Sequence, residues 1–182
     1  MRKIAKAVMR PERYRPWHAL LFWAVGSGLS GISVGRRAED RRFYEELEQA
    51  PFAPPGWVFV PAWTLNNASV LWGNLRLLNL PKDAPNRRTL LVLQGLSWLL
   101  FFTFGYVYFR KKSPILALAN TATFWVLTIA SAVLSLRSGR KDVALSLGTL
   151  LAWLTLATPT AAYQAARNPD PLLGYDPRRV NQ

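Results

Sequence analysis

The chain has 182 residues, of which 51% are hydrophobic, and it carries a formal net charge of +13. Its charged residues are clustered, and the long stretches between the clusters contain none, which excludes the charged face that a soluble helix turns to water. The cations flank these stretches, where anionic lipid headgroups attract them, so we expect a membrane lipid partner and no nucleic acid. The absence of cysteine excludes disulfides, cysteine metal sites and thiol catalysis.

Five uncharged stretches are each long enough to cross a bilayer, which takes about 20 residues in a helix. We therefore predict an all-α, multi-pass integral membrane protein of five transmembrane helices. A basic N-terminal segment (1–16) precedes the transmembrane domain (17–168), and a polar C-terminal tail (169–182) follows it. A signal peptide is the alternative for the first apolar stretch. The predicted spans lie at about residues 17–35, 57–75, 89–109, 114–136 and 143–166.

Small residues line one side of the first predicted helix. Ser27, Gly31 and Gly35 follow each other at four-residue spacing, and such spacing lets two helices approach closely in lipid. The pattern predicts a helix-packing surface. Its partner is either another helix of the same chain or a second copy of the protein, in which case the protein is a homodimer.

The second predicted helix carries a polar stripe. Trp63, Asn67, Val70 and Asn74 share one face by their spacing. An amide in lipid is costly unless it is hydrogen-bonded, so we expect this stripe to point into the bundle. Asn66 lies about 100° away around the helix and needs a partner of its own.

The third and fourth predicted helices also carry stripes, and the link between them is so short that they must be antiparallel neighbours. On the third helix the stripe is Gln94, Trp98, Phe101 and Gly105. On the fourth it is Ser113, Ala117, Asn120, Phe124, Thr128, Ser131 and Ser135.

Residues for catalysis are scarce. The chain has one histidine, His18, which cannot make a zinc site of the usual His and Cys ligands. All ten carboxylates lie outside the predicted spans, so none can relay protons within the membrane. We expect no catalytic residue, no bound metal and no required cofactor.

Tryptophan is abundant, with eight residues, and some of these lie well inside the predicted spans instead of at the membrane interface. Each one alone is explained by plain packing. Together, coming from four different helices, they could line one cavity. A pocket of aromatic rings and a few amides without charges suits a planar apolar ligand. The four residues are Trp63, Trp98, Trp125 and Trp153.

The segment from Phe52 to Thr64 resembles the signature of the TspO/MBR family, the tryptophan-rich sensory and translocator proteins. The family pattern reads W-x-P-P-x-W-x-F-x-P-x-W-T-x-L-Y. Phe52 replaces its first tryptophan and Asn67 replaces its tyrosine, so the chain resembles a divergent member. The matching residues are Pro54, Pro55, Trp57, Phe59, Pro61, Trp63 and Thr64.

The resemblance implies a five-helix bundle, commonly dimeric, that binds porphyrins or haem and, in some members, sterols. A lid over the pocket would come from the first loop, at Phe52, Pro54 and Pro55. The pocket positions that it implies are Phe59, Val60, Trp63, Asn67, Ser97, Trp98, Trp153, Leu156 and Ala157.

We therefore expect a membrane receptor or carrier for a tetrapyrrole or sterol-like ligand, acting in transport, scavenging or sensing. The alternative is a structural or regulatory membrane subunit without a small-molecule ligand, as the small-residue stripe would allow. A third function, light-dependent porphyrin degradation, is implied by the resemblance alone.

Overall fold

The computed structural model describes residues 13–31 and 38–180, and this part of the chain is all-helical, with a single isolated β-bridge between Asp170 and Tyr175. A 3₁₀ turn, Gly56–Val58, leads into α3, and a π-helical turn, Tyr106–Arg110, continues α4. The helices are α1 (Pro16–Gly31), α2 (Ala38–Glu46), α3 (Phe59–Leu78), α4 (Arg87–Gly105), α5 (Pro114–Arg137), α6 (Lys141–Ser146), α7 (Gly148–Arg167) and α8 (Pro177–Val180).

Capping residues and glycine set the ends of α5. Ser113 precedes the helix, and its Oγ accepts a hydrogen bond from the Leu116 amide at 3.1 Å. Pro114 occupies the first helical position, where its missing N–H is not needed. At the other end, Gly139 adopts φ +70° and the Arg140 amide bonds back to the Ser135 carbonyl at 2.8 Å. A left-handed glycine with such a bond ends a helix cleanly.

Helix α5 packs against α4 and α7, and its buried side is built from small residues apart from Phe124. This confirms the stripe predicted for the fourth helix, except that Asn120 is only half-buried. Small side chains let the neighbouring helices approach closely, and a cluster of larger side chains fills the centre of the bundle. That cluster consists of Val70, Trp98, Phe124, Leu147, Leu150 and Leu154.

Two helical segments within the described residues are long and apolar enough to cross a membrane. They are Arg87–Arg110, which is α4 with its π-helical turn, and Pro114–Arg137, which is α5. Both agree with the predicted spans to within a few residues.

The other boundaries differ more from the predictions. Helix α3 begins at Phe59 because the preceding prolines and the 3₁₀ turn occupy the predicted start. The last predicted span is divided at Leu147 into α6 and α7. The stripe on the first helix cannot be followed to its end, because Gly35 lies outside the described residues, so the packing of Ser27, Gly31 and Gly35 stays a prediction.

Candidate ligand-binding site

A groove of about 560 Å³ runs between α1, α3 and α4. It opens along the flank of the bundle, where Leu20 is 63% exposed and Val60 is 73% exposed. None of the described residues that line it is charged. They are Leu20, Trp23, Phe59, Val60, Trp63, Thr64, Asn67, Ala68, Leu71 and Phe101.

A much smaller inner cavity, of about 10 Å³, lies deeper between α3, α4, α5 and α7. It shares Trp63, Asn67 and Phe101 with the groove, so these three residues stand between the two spaces. The inner cavity is lined by Trp63, Asn66, Asn67, Val70, Ser97, Trp98, Phe101, Phe124 and Leu150.

Aromatic side chains form a continuous chain of contacts along the groove. The ring centroids of Trp63 and Phe101 are 5.0 Å apart, and those of Phe101 and Trp98 are 5.5 Å apart at 88°. On the other side, Trp63 lies 6.0 Å from Trp153, which contacts Phe59 edge-on at 5.2 Å. Three of these four contacts are edge-to-face, which is a favourable geometry for aromatic pairs.

Four buried polar atoms on α3 and α4 have no hydrogen-bond partner in the described part of the chain, and three of them belong to residues that line the inner cavity. They are Asn66 Nδ2, Gln94 Oε1, Ser97 Oγ and Trp98 Nε1. Their residues are only 3–6% exposed. Buried polar groups are nearly always paired in proteins, so these atoms are available to hydrogen-bond a small group that enters the cavity.

The predicted pocket residues are brought together in part. Phe59, Val60, Trp63 and Asn67 line the groove, Ser97 and Trp98 line the inner cavity, and Trp153 contacts the groove through its ring. Leu156 and Ala157 line neither space, and Leu156 is 37% exposed. Both residues follow Trp153 by about one turn on the same side of α7, so they lie further along the helix than the part that contacts the groove.

The fourth tryptophan that we predicted for the cavity lies elsewhere. Trp125 donates its Nε1–H to Thr155 Oγ1 at 3.1 Å, a contact between α5 and α7. It packs against the central cluster of the bundle and lines neither the groove nor the inner cavity. For each tryptophan taken alone, plain packing was the favoured interpretation, and the contacts of Trp125 agree with that interpretation.

The sequence pattern underestimated how far Asn66 is buried in the bundle. The predicted inward stripe ran through Asn67, yet Asn66 is the more buried of the two, at 3% exposure, and its amide nitrogen lacks a partner. The signal was its position one residue from the stripe and the polarity of its side chain in an apolar helix. Such a residue must face protein instead of lipid.

The first loop is anchored to the end of α7 by side-chain amides. Asn168 accepts a hydrogen bond from the Glu48 amide at 2.7 Å and donates one to the Glu48 carbonyl at 3.0 Å. Gln164 donates to Gln49 Oε1 at 2.6 Å and accepts from the Tyr108 hydroxyl at 2.9 Å. The loop therefore has a fixed base from which it leads into α3.

The predicted lid residues lie beyond this base. Phe52 is 51% exposed, Pro54 is half-buried and Pro55 is exposed. None of the three lines the groove or the inner cavity. Their role as a lid stays a prediction.

A family model described as the TspO/MBR family matches residues 18–166. The chain belongs to the TspO/MBR family. No curated protein matches the chain in sequence. Membership makes the chain a membrane-associated helical protein and supports, in general terms, a membrane receptor or carrier that binds a ligand.

The TspO/MBR signature forms one wall of the groove. Its second half, from Phe59 to Thr64, makes up the first turns of α3 and supplies groove residues. The signature has leucine and tyrosine at the positions of Asn66 and Asn67 in this chain. The polar character of the inner cavity therefore comes partly from positions where the chain departs from the family pattern.

The described residues contain no group of three or more His, Cys, Asp or Glu side chains that could hold a metal ion. The polar groups beside the inner cavity are amides, a hydroxyl and an indole N–H. Groups of this type recognise a ligand by hydrogen bonds.

Proposed function

We propose that this TspO/MBR protein is a membrane receptor or carrier that binds a planar hydrophobic ligand in the groove between α1, α3 and α4. A porphyrin or haem is the first candidate and a sterol the second, for transport, scavenging or sensing. The chain of aromatic contacts through Trp63, Phe101 and Trp153 supports this proposal most directly. The groove volume of about 560 Å³ falls within the range of small-molecule sites.

The proposal includes five membrane crossings, by α1, α3, α4, α5 and α7. Helices α3 and α7 have 20 residues each, which at 1.5 Å per residue give a length of about 30 Å. Their exposed faces are apolar, with Leu65 and Leu156 among the exposed large side chains. The lengths match the hydrocarbon thickness of a bilayer. The apolar faces suit contact with its lipid chains.

Titration of the purified protein with protoporphyrin, followed by tryptophan quenching, tests the proposal. We expect Trp63→Ala and Trp153→Ala each to weaken binding about tenfold, since each removes a large aromatic contact. Trp72→Ala is the matched control, because Trp72 is 50% exposed and lines neither space. Equal affinity in all four proteins would contradict the proposal.

The same complex tests the absence of catalysis. We propose a binding protein without a chemical step. Illumination should therefore change the absorption spectrum of the bound porphyrin no more than it changes the spectrum of porphyrin in detergent buffer without protein. A product that forms only with the intact protein would show that the groove supports a reaction.

A further inference from the structure

Helices α3 and α6 meet at one end of the bundle, where charged side chains join them. Arg76, in the last turn of α3, donates from Nε to Asp142 Oδ2 at 3.0 Å, and Arg140 Nη2 lies 3.7 Å from the same oxygen. The helices also touch, since a Cβ atom added at Gly73 would overlap the side chain of Ser146. One carboxylate oxygen therefore holds two guanidinium groups close together at a tightly packed junction.

Both guanidinium groups keep donors for a further partner. Arg76 gives Asp142 only its Nε–H, and the separation of 3.7 Å between Arg140 and Asp142 is too long for a hydrogen bond. The arginine side chains are 55% and 31% exposed, so a ligand can reach them from outside. The planar fork of a guanidinium group fits the oxygens of a phosphate especially well.

Positive charge exceeds negative charge around this junction. Arg76, Arg140 and the exposed Lys141 surround the one carboxylate of Asp142. The described residues at this end of the bundle include nine Lys or Arg and two Asp, whereas those at the opposite end include eight Lys or Arg and seven Asp or Glu. The two sets are residues 13–16, 76–88 and 137–142, and residues 38–58, 110–113 and 167–180.

An apolar surface lies one helical turn deeper in the bundle than the charged cluster. Trp72 precedes Arg76 by one turn on the same face of α3, and Arg76 Cζ lies 5.8 Å from the centroid of its ring. Leu145 follows Asp142 by about one turn on α6. Trp72 is 50% exposed and Leu145 is 77% exposed. The junction therefore presents cations at its outer edge and apolar side chains beneath them.

We propose that the junction of α3 and α6 binds an anionic phospholipid, with the phosphate on Arg76 and Arg140 and an acyl chain against Trp72 and Leu145. The positive excess favours a headgroup with a net negative charge over a zwitterionic one, whose own cation would be repelled. None of these four residues lines the groove or the inner cavity, so the inference is independent of the proposed function.

Native mass spectrometry of the full-length protein in non-ionic detergent tests the site. The protein is titrated with phosphatidylglycerol or with phosphatidylcholine of the same acyl chains, and the dissociation constant of the first bound lipid is measured. We expect phosphatidylglycerol to bind about tenfold more tightly, and the double variant Arg76→Gln/Arg140→Gln to abolish this preference, because it removes the charge-assisted bonds to phosphate. Equal affinity of the unmodified protein for both lipids would overturn the inference.

A second double variant separates a defined site from the general charge of this end. Lys82→Gln/Arg88→Gln removes the same charge from two exposed positions at the same end of the bundle. It should retain most of the preference for phosphatidylglycerol. If both double variants lose the preference equally, the overall charge causes it and the junction is not the site.

The Asp142→Asn variant separates lipid binding from folding. It removes the ion pair across the junction but keeps both arginines, so it should bind phosphatidylglycerol at least as tightly as the unmodified protein. A loss of binding as large as in Arg76→Gln/Arg140→Gln would show that the arginines act only by holding the two helices together.

Inorganic phosphate distinguishes a lipid site from a site for a free anion. It is added in large excess, with chloride at the same ionic strength as the reference. We expect no more displacement of phosphatidylglycerol by phosphate than by chloride, since the free ion lacks the acyl chain that contacts Trp72 and Leu145. Specific displacement by phosphate would assign the cluster to a free anion and overturn the proposal of a lipid.

Discussion

Asp142, at the start of α6, forms an ion pair with α3. Its Oδ2 accepts a hydrogen bond from Arg76 Nε at 3.0 Å and lies 3.7 Å from Arg140 Nη2. Partial burial of the carboxyl opposes its ionisation, but the bonds from Arg76 and the Val143 amide and the two positive charges outweigh burial and hold the pKa of Asp142 below its usual value. The ionised form is therefore favoured in the folded protein.

The Asp142→Asn variant should be less stable than the unmodified protein at pH 7, by less than about 1 kcal/mol, since the pair is partly exposed. A depressed folded pKa gives stability that is present above the unfolded value, near pH 4, and lost as pH falls through the folded value. The difference between the proteins should thus disappear in acid. Thermal unfolding in detergent between pH 7 and pH 2.5 measures it, with Asp83→Asn as an exposed control. A gap that persists at the lowest pH would contradict the prediction.

The positions of side chains that are energetically costly in lipid could be predicted from the sequence. Asn67 lies at the groove and the inner cavity, as predicted, because an amide in an apolar helix is costly against lipid. The resemblance also implied Leu156 and Ala157 as pocket residues, but neither lines the groove or the inner cavity. Aliphatic side chains suit lipid and protein equally, so the sequence cannot tell which way they face.

Helix α1 approaches α4 at a glycine that the small-residue stripe did not include. A Cβ atom added at Gly26 would overlap the ring of Phe102, whereas one added at Gly28 would meet nothing within 4 Å. Phe22, one turn before Gly26, packs edge-on against Trp98 at 5.3 Å. Gly26 therefore sets how closely α1 packs, and with it the position of one wall of the groove.

The Gly26→Ala variant should destabilise the protein by about 1–3 kcal/mol, because the added methyl overpacks the contact with Phe102. Phe102→Leu in the same protein should recover most of the loss, which a double-mutant cycle of thermal unfolding would detect. Gly28→Ala is the matched control and should be neutral or slightly stabilising, since alanine favours a helix. Equal effects at Gly26 and Gly28 would show that α1 is not packed as described.

Helix ends were predictable to different degrees. Prolines and the Ser113-Pro114 pair fixed the starts of α3 and α5 to within a few residues, because these residue types restrict the backbone directly. The division of the last span at Leu147 has no such residue. Asp142, Val143 and Ser146 make contacts with α3 that hold α6 as a separate turn, and such contacts are not visible in the sequence.

At the scale of the whole molecule, two asparagines anchor irregular segments of the chain, one before α1 and one after α2. At one end, Asn79 accepts from the Tyr14 amide and donates to the Tyr14 carbonyl, both at 2.8 Å. At the other end, Asn168 makes the same pair of bonds with Glu48. Each asparagine replaces the backbone partner that an irregular segment lacks.

The Asn168→Ala variant should loosen the first loop. Removal of both bonds to Glu48 should speed amide hydrogen exchange in residues 47–58 about tenfold or more. Dissociation of bound protoporphyrin should also become faster, because this loop leads into the groove residues of α3. Asn79→Ala removes the same chemistry at the opposite end and should leave exchange in residues 47–58 unchanged. Similar exchange in that segment for both variants would show that the anchor at Glu48 is not what holds the loop.

The groove between α1 and α3 opens sideways, along the flank that the hydrocarbon would cover. A compound would then arrive from within the leaflet, after it has already left water. Occupancy should follow the mole fraction of compound per lipid, so that adding empty vesicles at a fixed total dose lowers binding by dilution alone. Affinities expressed per litre of buffer would accordingly change with every lipid concentration, whereas those expressed per lipid would stay constant.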